Sequence, residues 1–114
     1  MEIHPSNHEI QDIYKLLTAA VTPRPIGWIS SINTKGERNL APFSFFNIVG
    51  YDPPHVIFSP ISPNGRKKDT LNNVLETGEF VVNMVTENLA EQMNKTSALL
   101  PPEADEFEFA GLTP

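Results

Sequence analysis

The sequence contains no cysteine, which excludes disulfide bonds, thiolate nucleophiles and zinc or iron–sulfur sites held by cysteine. It also lacks long apolar runs, since none approaches the roughly 20 residues that a membrane-spanning helix needs. The first residues, Met1–Pro5, have neither the basic start nor the apolar stretch of a secretory signal. We therefore expect a cytoplasmic protein with no membrane association.

Basic residues are also few. Eight Lys and Arg stand against 14 Asp and Glu, which gives a net charge of −6. This balance argues against binding to nucleic acids or anionic membranes, because both depend on neutralising phosphates with Lys and Arg. The sequence has 114 residues, of which 39% are hydrophobic and seven are Phe. This is enough for one domain with a core over residues 1–114.

Three stretches have the apolar spacing and end signals of helices. A capping box, Ser6–Glu9, predicts a helix over 9–19. Asp69 is the expected N-cap of a second helix, which ends before Gly78. Asn88 begins a third, short helix.

Runs of β-forming residues predict strands over 25–32, 38–48, 55–60 and 79–85. The first two form a hairpin through the turn at Gly36. The third is largely apolar and is expected to be buried on both faces. The acidic stretch after Ser97 is predicted to be a loop, with Phe107 and Phe109 facing one way.

Successive strands with helices as caps indicate a mainly β protein with an antiparallel or barrel architecture. Four predicted strands are too few to close a barrel, for which about six or more are expected. Either a sheet edge is open, or a partner covers it, or the chain stops before its fold is finished.

The common catalytic motifs are absent, including the phosphate-binding P-loop, the zinc-protease helix and the nucleophile elbow. His4 and His8 are four residues apart, but no carboxylate completes a ligand pattern, and His55 is typical of a packing residue. The glycosylation sequon at Asn94 is a chance match without a secretory signal. The sequence predicts no catalytic side chain and no metal site.

One segment, Arg38–Asn47, combines aromatic residues with polar ones. Pro42 marks a strand edge or bulge, and Asn39 and Ser44 add amide and hydroxyl groups. A planar polar heterocycle needs this mixture of apolar faces and a few donors for its edge. The alternative is an ordinary core strand with polar residues on its wet face, and the pattern alone favours that alternative.

A second segment, Asn64–Thr70, places three consecutive cations before a helix in an otherwise acidic chain. Helix N-termini carry partial positive charge and free N–H groups, which suit a phosphate. Thr70 adds a hydroxyl donor, and Asp69 is assigned to capping. The alternative is a solvated basic loop before a normally capped helix, and the pattern does not separate the two.

Several short segments, taken together, match one family. They are Tyr14–Leu17, Pro23–Ser30, Gly36, Asn39–Asn47, Asp52–Pro54, Lys68–Asn73, Thr77–Asn83 and Asp105–Phe107. In this order, over about residues 14–114, the chain resembles the flavin reductase-like family with the FMN-binding split-barrel fold, including its flavoredoxin-like members.

The resemblance implies a split β-barrel, a homodimer and FMN near the subunit interface. It further implies reduction of the flavin by NADH or NADPH and electron transfer to a small-molecule or protein acceptor. The implied FMN contacts are Asn39, Ala41, Pro42, Ser44, Ser59, Arg66, Lys68 and Thr70. Among them, the Ala41 backbone and the Ser44 hydroxyl lie at the ring edge, whereas Lys68 and Thr70 hold the phosphate. Arg24 is a further candidate.

Family members continue past the final Gly-Leu-Thr-Pro, so residues 1–114 are expected to be one flavin reductase-like FMN-binding domain that lacks its C-terminal part. In such a protein the redox chemistry belongs to the cofactor. The alternatives are an FMN carrier or truncated fragment without turnover, and a structural remnant that neither closes nor binds.

Overall fold

The computed structural model describes residues 2–60 and 67–114. The elements in chain order are α1 (Ile10–Ala20), β1 (Gly27–Ile32), β2 (Arg38–Phe43), β3 (Phe46–Tyr51), β4 (Pro54–Phe58), α2 (Asp69–Thr77), β5 (Val81–Asn83), α3 (Ala90–Lys95) and α4 (Glu106–Ala110). Single 3-10 turns at Pro5–Asn7 and Glu87–Leu89 precede α1 and α3. The predicted architecture of antiparallel sheets with helices around them is confirmed. None of the helices in the described ranges has the length and apolar character to cross a membrane.

The main sheet has the strand order β2-β1-β5, and both pairings are antiparallel. Ile29, in the central strand, lies opposite Ala41 on one side and Val82 on the other. The core forms around this strand, where Trp28, Ile29 and Leu40 are at most 4% exposed. The central position of β1 thus fixes β2, which carries part of the candidate site.

The predicted hairpin of the first two strands is confirmed, with Gly36 at a φ of 84° in its turn. The single strand predicted over 38–48 is wrong, because the chain leaves the main sheet at Ser44. The backbone bends at Ser44 and Phe45, and the Ser44 hydroxyl accepts a hydrogen bond from Arg24. Within residues 2–60 and 67–114, β3 then pairs only with β4, in a separate two-stranded sheet. Among the described residues the two sheets do not close into a barrel.

The prediction that the third strand is buried on both faces is also wrong. From Pro54 to Ile57, β4 is exposed, because β3 and β4 form a sheet of only two strands. Only the end of β4 joins the core, where the Phe58 ring packs 5.1 Å from Phe43 and 5.0 Å from Phe80 between ring centroids. The two-stranded sheet of β3 and β4, the β3–β4 ribbon, therefore projects from the main sheet.

The helix positions are predicted well, but the caps are not. For α1 the N-cap is Glu9 rather than Ser6, because Pro5 begins a separate 3-10 turn that takes up Ser6. For α2 the N-cap is Lys68, whose backbone is extended (φ −72°, ψ 152°), and Asp69 is already helical. Neither N-cap makes a side-chain hydrogen bond.

Of the other element ends, the stop of α2 is predicted correctly and the start of α3 is not. Gly78 ends α2 in the left-handed conformation, with a φ of 77°, as predicted. Asn88 lies in a 3-10 turn, and Leu89 is the N-cap of α3. The strand predicted over 79–85 is confined to Val81–Asn83, the stretch that pairs with β1.

The segment after Ser97 is not all loop, because α4 forms within it. The Asp105 carboxylate caps this helix by accepting from the Phe107 N–H at 2.8 Å. Since residues two apart point to different sides of a helix, Phe107 and Phe109 do not face one way. Phe107 lies under the Arg38 guanidinium, whereas Phe109 is 54% exposed.

Candidate functional site

A cavity of about 640 Å³ lies between β2, the start of α2, the segment after α3 and the start of α4. Its lining residues are Asn39, Ala41, Pro42, Lys67–Thr70, Thr96–Pro102 and Glu106. This volume is within the range of small-molecule and cofactor sites. The lining combines apolar side chains with a few polar and charged groups, as such sites do.

Five of the eight residues predicted to contact a ligand line this one cavity. Asn39, Ala41 and Pro42 come from β2, whereas Lys68 and Thr70 come from the start of α2. The fold brings these two segments together although about 30 residues separate them in the sequence. The β2 segment and the cationic helix start, each ambiguous alone, therefore border one cavity.

Two predicted residues lie elsewhere, Ser44 between β2 and β3 and Ser59 directly after β4. The Ser44 hydroxyl accepts from Arg24 Nη1 at 2.8 Å, and the Arg24 guanidinium carbon lies 5.5 Å from the centre of the Phe45 ring. Ser59 is exposed, and its backbone N–H donates to the Phe45 carbonyl at 2.9 Å. Neither serine lines the cavity. Arg66, the remaining predicted contact, lies outside the described residues.

The polar wall of the cavity is a chain of hydrogen bonds. Thr70 Oγ1 donates to Asn39 Oδ1 at 2.5 Å, and Asn39 Nδ2 donates to Glu106 Oε1 at 3.1 Å. The second oxygen of Glu106 accepts from the Leu40 N–H, also at 3.1 Å. Both carboxylate oxygens of Glu106 are thus engaged by β2.

Burial raises the pKa of Glu106 above its usual 4.5. The hydrogen bonds from Leu40, from its own backbone N–H and from Asn39 act in the opposite direction, and the nearby charge of Asp105 adds to the rise. A covered carboxyl group in a cavity wall is one mark of a candidate functional site.

The cationic end of the cavity is formed by Lys67 and Lys68 at the start of α2. Lys68 Nζ lies 5.1 Å from the centre of the Phe43 ring, within cation–π range. The first turn of α2 adds the partial positive charge of a helix N-terminus. Asp69 lines the same cavity and opposes this field. The arrangement suits an anion at the mouth of a partly apolar pocket.

The sequence did not reveal Glu106 or the wall formed by residues 97–102. Two local signals pointed to α4, namely a capping Asp105 and a glycine, Gly111, after the last helical residue. Within the described parts of the chain, 2–60 and 67–114, no group of three His, Asp or Glu side chains could hold a metal ion.

Comparison with known proteins identifies the family. The model of the flavin reductase like domain matches residues 19–114. The crystal structure of nitrilotriacetate monooxygenase component B from Bacillus cereus superimposes with a TM-score of 0.92 at 42% identity. That match covers 100% of this chain and 56% of the other.

Two further solved structures share the fold. The 2-nitrobenzoate 2-nitroreductase of Pseudomonas fluorescens matches with a TM-score of 0.81 and 38% identity, over 97% of this chain and 52% of the other. A split-barrel protein from Shewanella frigidimarina matches with a TM-score of 0.77 and 25% identity, over 100% of this chain and 57% of the other. The fold is thus that of split-barrel flavin reductase-like proteins.

The chain spans about half the length of the curated relatives it matches, between 51% and 54% in the first three. Those relatives are 43% to 52% identical to it, over 90% or more of its residues. With the family model matching residues 19–114, the chain belongs to the family of flavin reductase like domains.

Proposed function

We propose that this chain forms the FMN site of a flavin-dependent oxidoreductase, a cytoplasmic homodimer that uses NADH or NADPH. The observation that carries the proposal is the cavity itself, which joins the polar β2 segment to the cationic start of α2. When bound, FMN supplies the redox chemistry by accepting a hydride from the nicotinamide and passing electrons to an acceptor. The chain's own residues bind and orient the flavin.

The residues present fit FMN in three respects. Ala41, Pro42 and Leu100 give apolar walls for a flat tricyclic ring. Asn39, with one amide proton donated to Glu106, has a second proton that can serve a polar ring edge. Lys68 and the first turn of α2 provide the charge for a phosphate.

The electron acceptor is proposed only by class, as a small molecule or a protein. Two of the similar solved structures are a component of a monooxygenase and a nitroreductase, which points to different acceptors on one fold. The homodimer, likewise, is carried over from the family resemblance.

Flavin titration tests the proposal directly. Added FMN should bind, with quenching of flavin fluorescence and a change in its visible absorption band. The complex should then oxidise NADH or NADPH faster than the same amount of free FMN. No binding at all would defeat the proposal, whereas binding without turnover above free FMN would indicate an FMN carrier.

The role of Lys68 gives a sharper prediction. Lys68→Ala should weaken FMN by about 10-fold to 100-fold, the loss expected for a hydrogen bond to a charged group. Riboflavin, which has no phosphate, should bind the variant almost unchanged. Lys35→Ala, which removes the same charge from the exposed β1–β2 turn, is the matched control. Equal losses for both flavins in Lys68→Ala would contradict this placement of the phosphate.

A further inference from the structure

One wall of the cavity, residues 97–102, is a segment without helix or strand that follows α3. The Ser97 N–H donates to the carbonyl of Asn94, in α3, at 3.1 Å. The next N–H, of Ala98, donates to the Lys95 carbonyl, also at 3.1 Å. Among the described residues, no hydrogen bond joins this wall segment to a strand. The end of α3 therefore determines where the wall segment lies.

The end of α3 is anchored by a buried threonine. None of the residues 90–95 of α3 is buried, and a helix of this length is not stable in water by itself. Thr96, directly after α3, is only 2% exposed. Its hydroxyl oxygen accepts from Trp28 Nε1, in the central strand β1, at 2.9 Å. Trp28 lies opposite Pro42 of β2, which lines the cavity. This hydrogen bond thus links the start of the wall segment to the β1–β2 pair.

Both hydrogen-bonding functions of the Thr96 hydroxyl are fixed by its partners. An indole N–H only donates, so Thr96 accepts from Trp28. The hydroxyl proton of Thr96 goes to the Met93 carbonyl at 2.7 Å. The second bond stays within the last turn of α3, whereas the first crosses to β1. Thr96→Val removes both bonds at nearly constant side-chain shape and leaves the buried Trp28 N–H unpaired. Thr96→Ser can keep both.

We infer that Trp28 and Thr96 are positioning residues that hold the wall segment in place beside the bound flavin. The inference rests on the proposed function and deepens it. Trp28 does not line the cavity, so its effect on a ligand passes through Thr96 and the wall segment. The half-buried side chain of the wall segment is Leu100, one of the apolar walls for the ring. A loosened wall segment should therefore weaken the binding of the ring, whatever is attached to it.

Three flavins test this: FMN, riboflavin, which lacks the phosphate, and lumiflavin, which also lacks the ribityl chain. Thr96→Val should weaken all three by one common factor of about threefold to tenfold, because binding must then order a wall that has lost one hydrogen bond. Thr96→Ser should bind normally. So should the matched control Thr77→Val, which removes a hydroxyl that bonds to its own helix. A loss confined to FMN, unchanged binding of all three flavins, or weak binding by Thr96→Ser would overturn the inference.

The Trp28 side of the bond can be removed separately. The chain has a single tryptophan, so biosynthetic incorporation of benzothienylalanine replaces the Trp28 N–H with sulfur and alters no other residue. This protein should lose flavin affinity as Thr96→Val does, and it provides the test if Thr96→Val does not fold. The two changes together should bind flavin no worse than Thr96→Val alone, because both remove the same contact with β1. Additive losses, or no loss with benzothienylalanine, would contradict the inference.

A measurement without flavin separates this inference from the proposed function. In the ligand-free protein, amide hydrogen exchange at Ser97 and Ala98, followed by NMR, should be faster in Thr96→Val, because the end of α3 opens when its anchor is lost. The amide of Gly78, which bonds back to α2 in a similar way, should exchange as before. Exchange at Ser97 and Ala98 that does not respond would defeat the inference even if flavin binds. A wild-type protein that binds none of the three flavins would defeat the proposed function, and the inferred role with it, whatever the exchange shows.

Discussion

At the scale of single residues, Glu106 shows how the fold tolerates a charge in a covered place. Removing a carboxylate from water is costly unless hydrogen bonds replace the lost solvent. Here the Asn39 amide and the Leu40 N–H serve the two oxygens. Desolvation nevertheless remains the largest influence on Glu106, and its pKa is raised.

The raised pKa of Glu106 makes stability depend on pH in a direction that can be stated in advance. The folded protein binds a proton at Glu106 more readily than the unfolded chain does, so folding becomes less favourable as the pH rises through the raised pKa. The Glu106→Gln variant has no titratable group at this position. The unfolding free energy of the protein minus that of the variant should therefore grow as the pH falls through the raised pKa, and level off below 4.5.

Urea unfolding of both proteins at matched pH values measures this difference. Among the described residues, the charged groups around Glu106 and its cavity include Asp105, Arg38, Lys67, Lys68 and Asp69. They are present in both proteins and largely cancel in the comparison. A difference that shrinks on acidification, or that does not vary with pH, would contradict the prediction.

At Gly27, one neighbouring side chain leaves no space for a Cβ atom. A Cβ atom at this position would lie 2.4 Å from Cδ2 of the Phe46 ring, where β3 begins. Gly27→Ala should lower the free energy of unfolding by about 1–3 kcal/mol, the usual cost of overpacking. Gly50→Ala, whose new Cβ would lie 3.2 Å from the His55 ring, should cost less. Denaturant unfolding of the two variants tests this order.

Shortening the neighbour provides the decisive control. In a Phe46→Leu background the flexible leucine can move aside, so Gly27→Ala should cost clearly less than it does with Phe46 present. An equal cost in both backgrounds would mean that the penalty comes from the β1 backbone rather than from the ring.

At the scale of elements, the sequence predicts those whose signals are local. The start of α1 and the stop of α2 were placed within a residue or so, because apolar spacing and Gly78 are properties of the segment itself. By contrast, α4 has only five residues, too few to show a helical period. What fixes it are contacts to β2, 67 residues away, from Asp105 to Arg38 and from Glu106 to Asn39. Such distant pairs cannot be read from a single sequence.

Asp105 has two roles at the start of α4, and two substitutions separate them. It caps the helix and also forms an ion pair with Arg38 of β2, with Nε at 2.9 Å from its carboxylate. Asp105→Ala removes both and should cost about 2 kcal/mol, from about 1 for the cap and up to about 1 for a partly exposed pair. Asp105→Asn keeps a good cap and should cost about half as much. Urea unfolding measures both values, and equal losses would mean that the cap contributes nothing.

At the scale of the whole molecule, the chain has a larger radius of gyration than a compact chain of the same length. A compact chain of this size has a radius of gyration of about 13 Å, whereas this one measures 15.7 Å, with extents of 48 × 33 × 30 Å. The β3–β4 ribbon carries exposed apolar residues on both faces, with Ile48 69% exposed and Ile57 55% exposed. The sequence analysis was right that β4 is apolar, but wrong that it is buried, because no other described part of the chain covers it.

This ribbon leads to a prediction about association. Apolar surface of this kind is typical of sites covered by another part of an assembly, and we expect the ribbon to be covered when a second copy binds. Ile48→Thr with Ile57→Thr should shift sedimentation toward the monomer at micromolar concentration. Leu75→Thr, an equivalent change at a residue of α2 that is 66% exposed, should leave the distribution unchanged. If the ribbon variant sediments like the unaltered protein while Leu75→Thr dissociates, the interface involves α2 rather than β3 and β4.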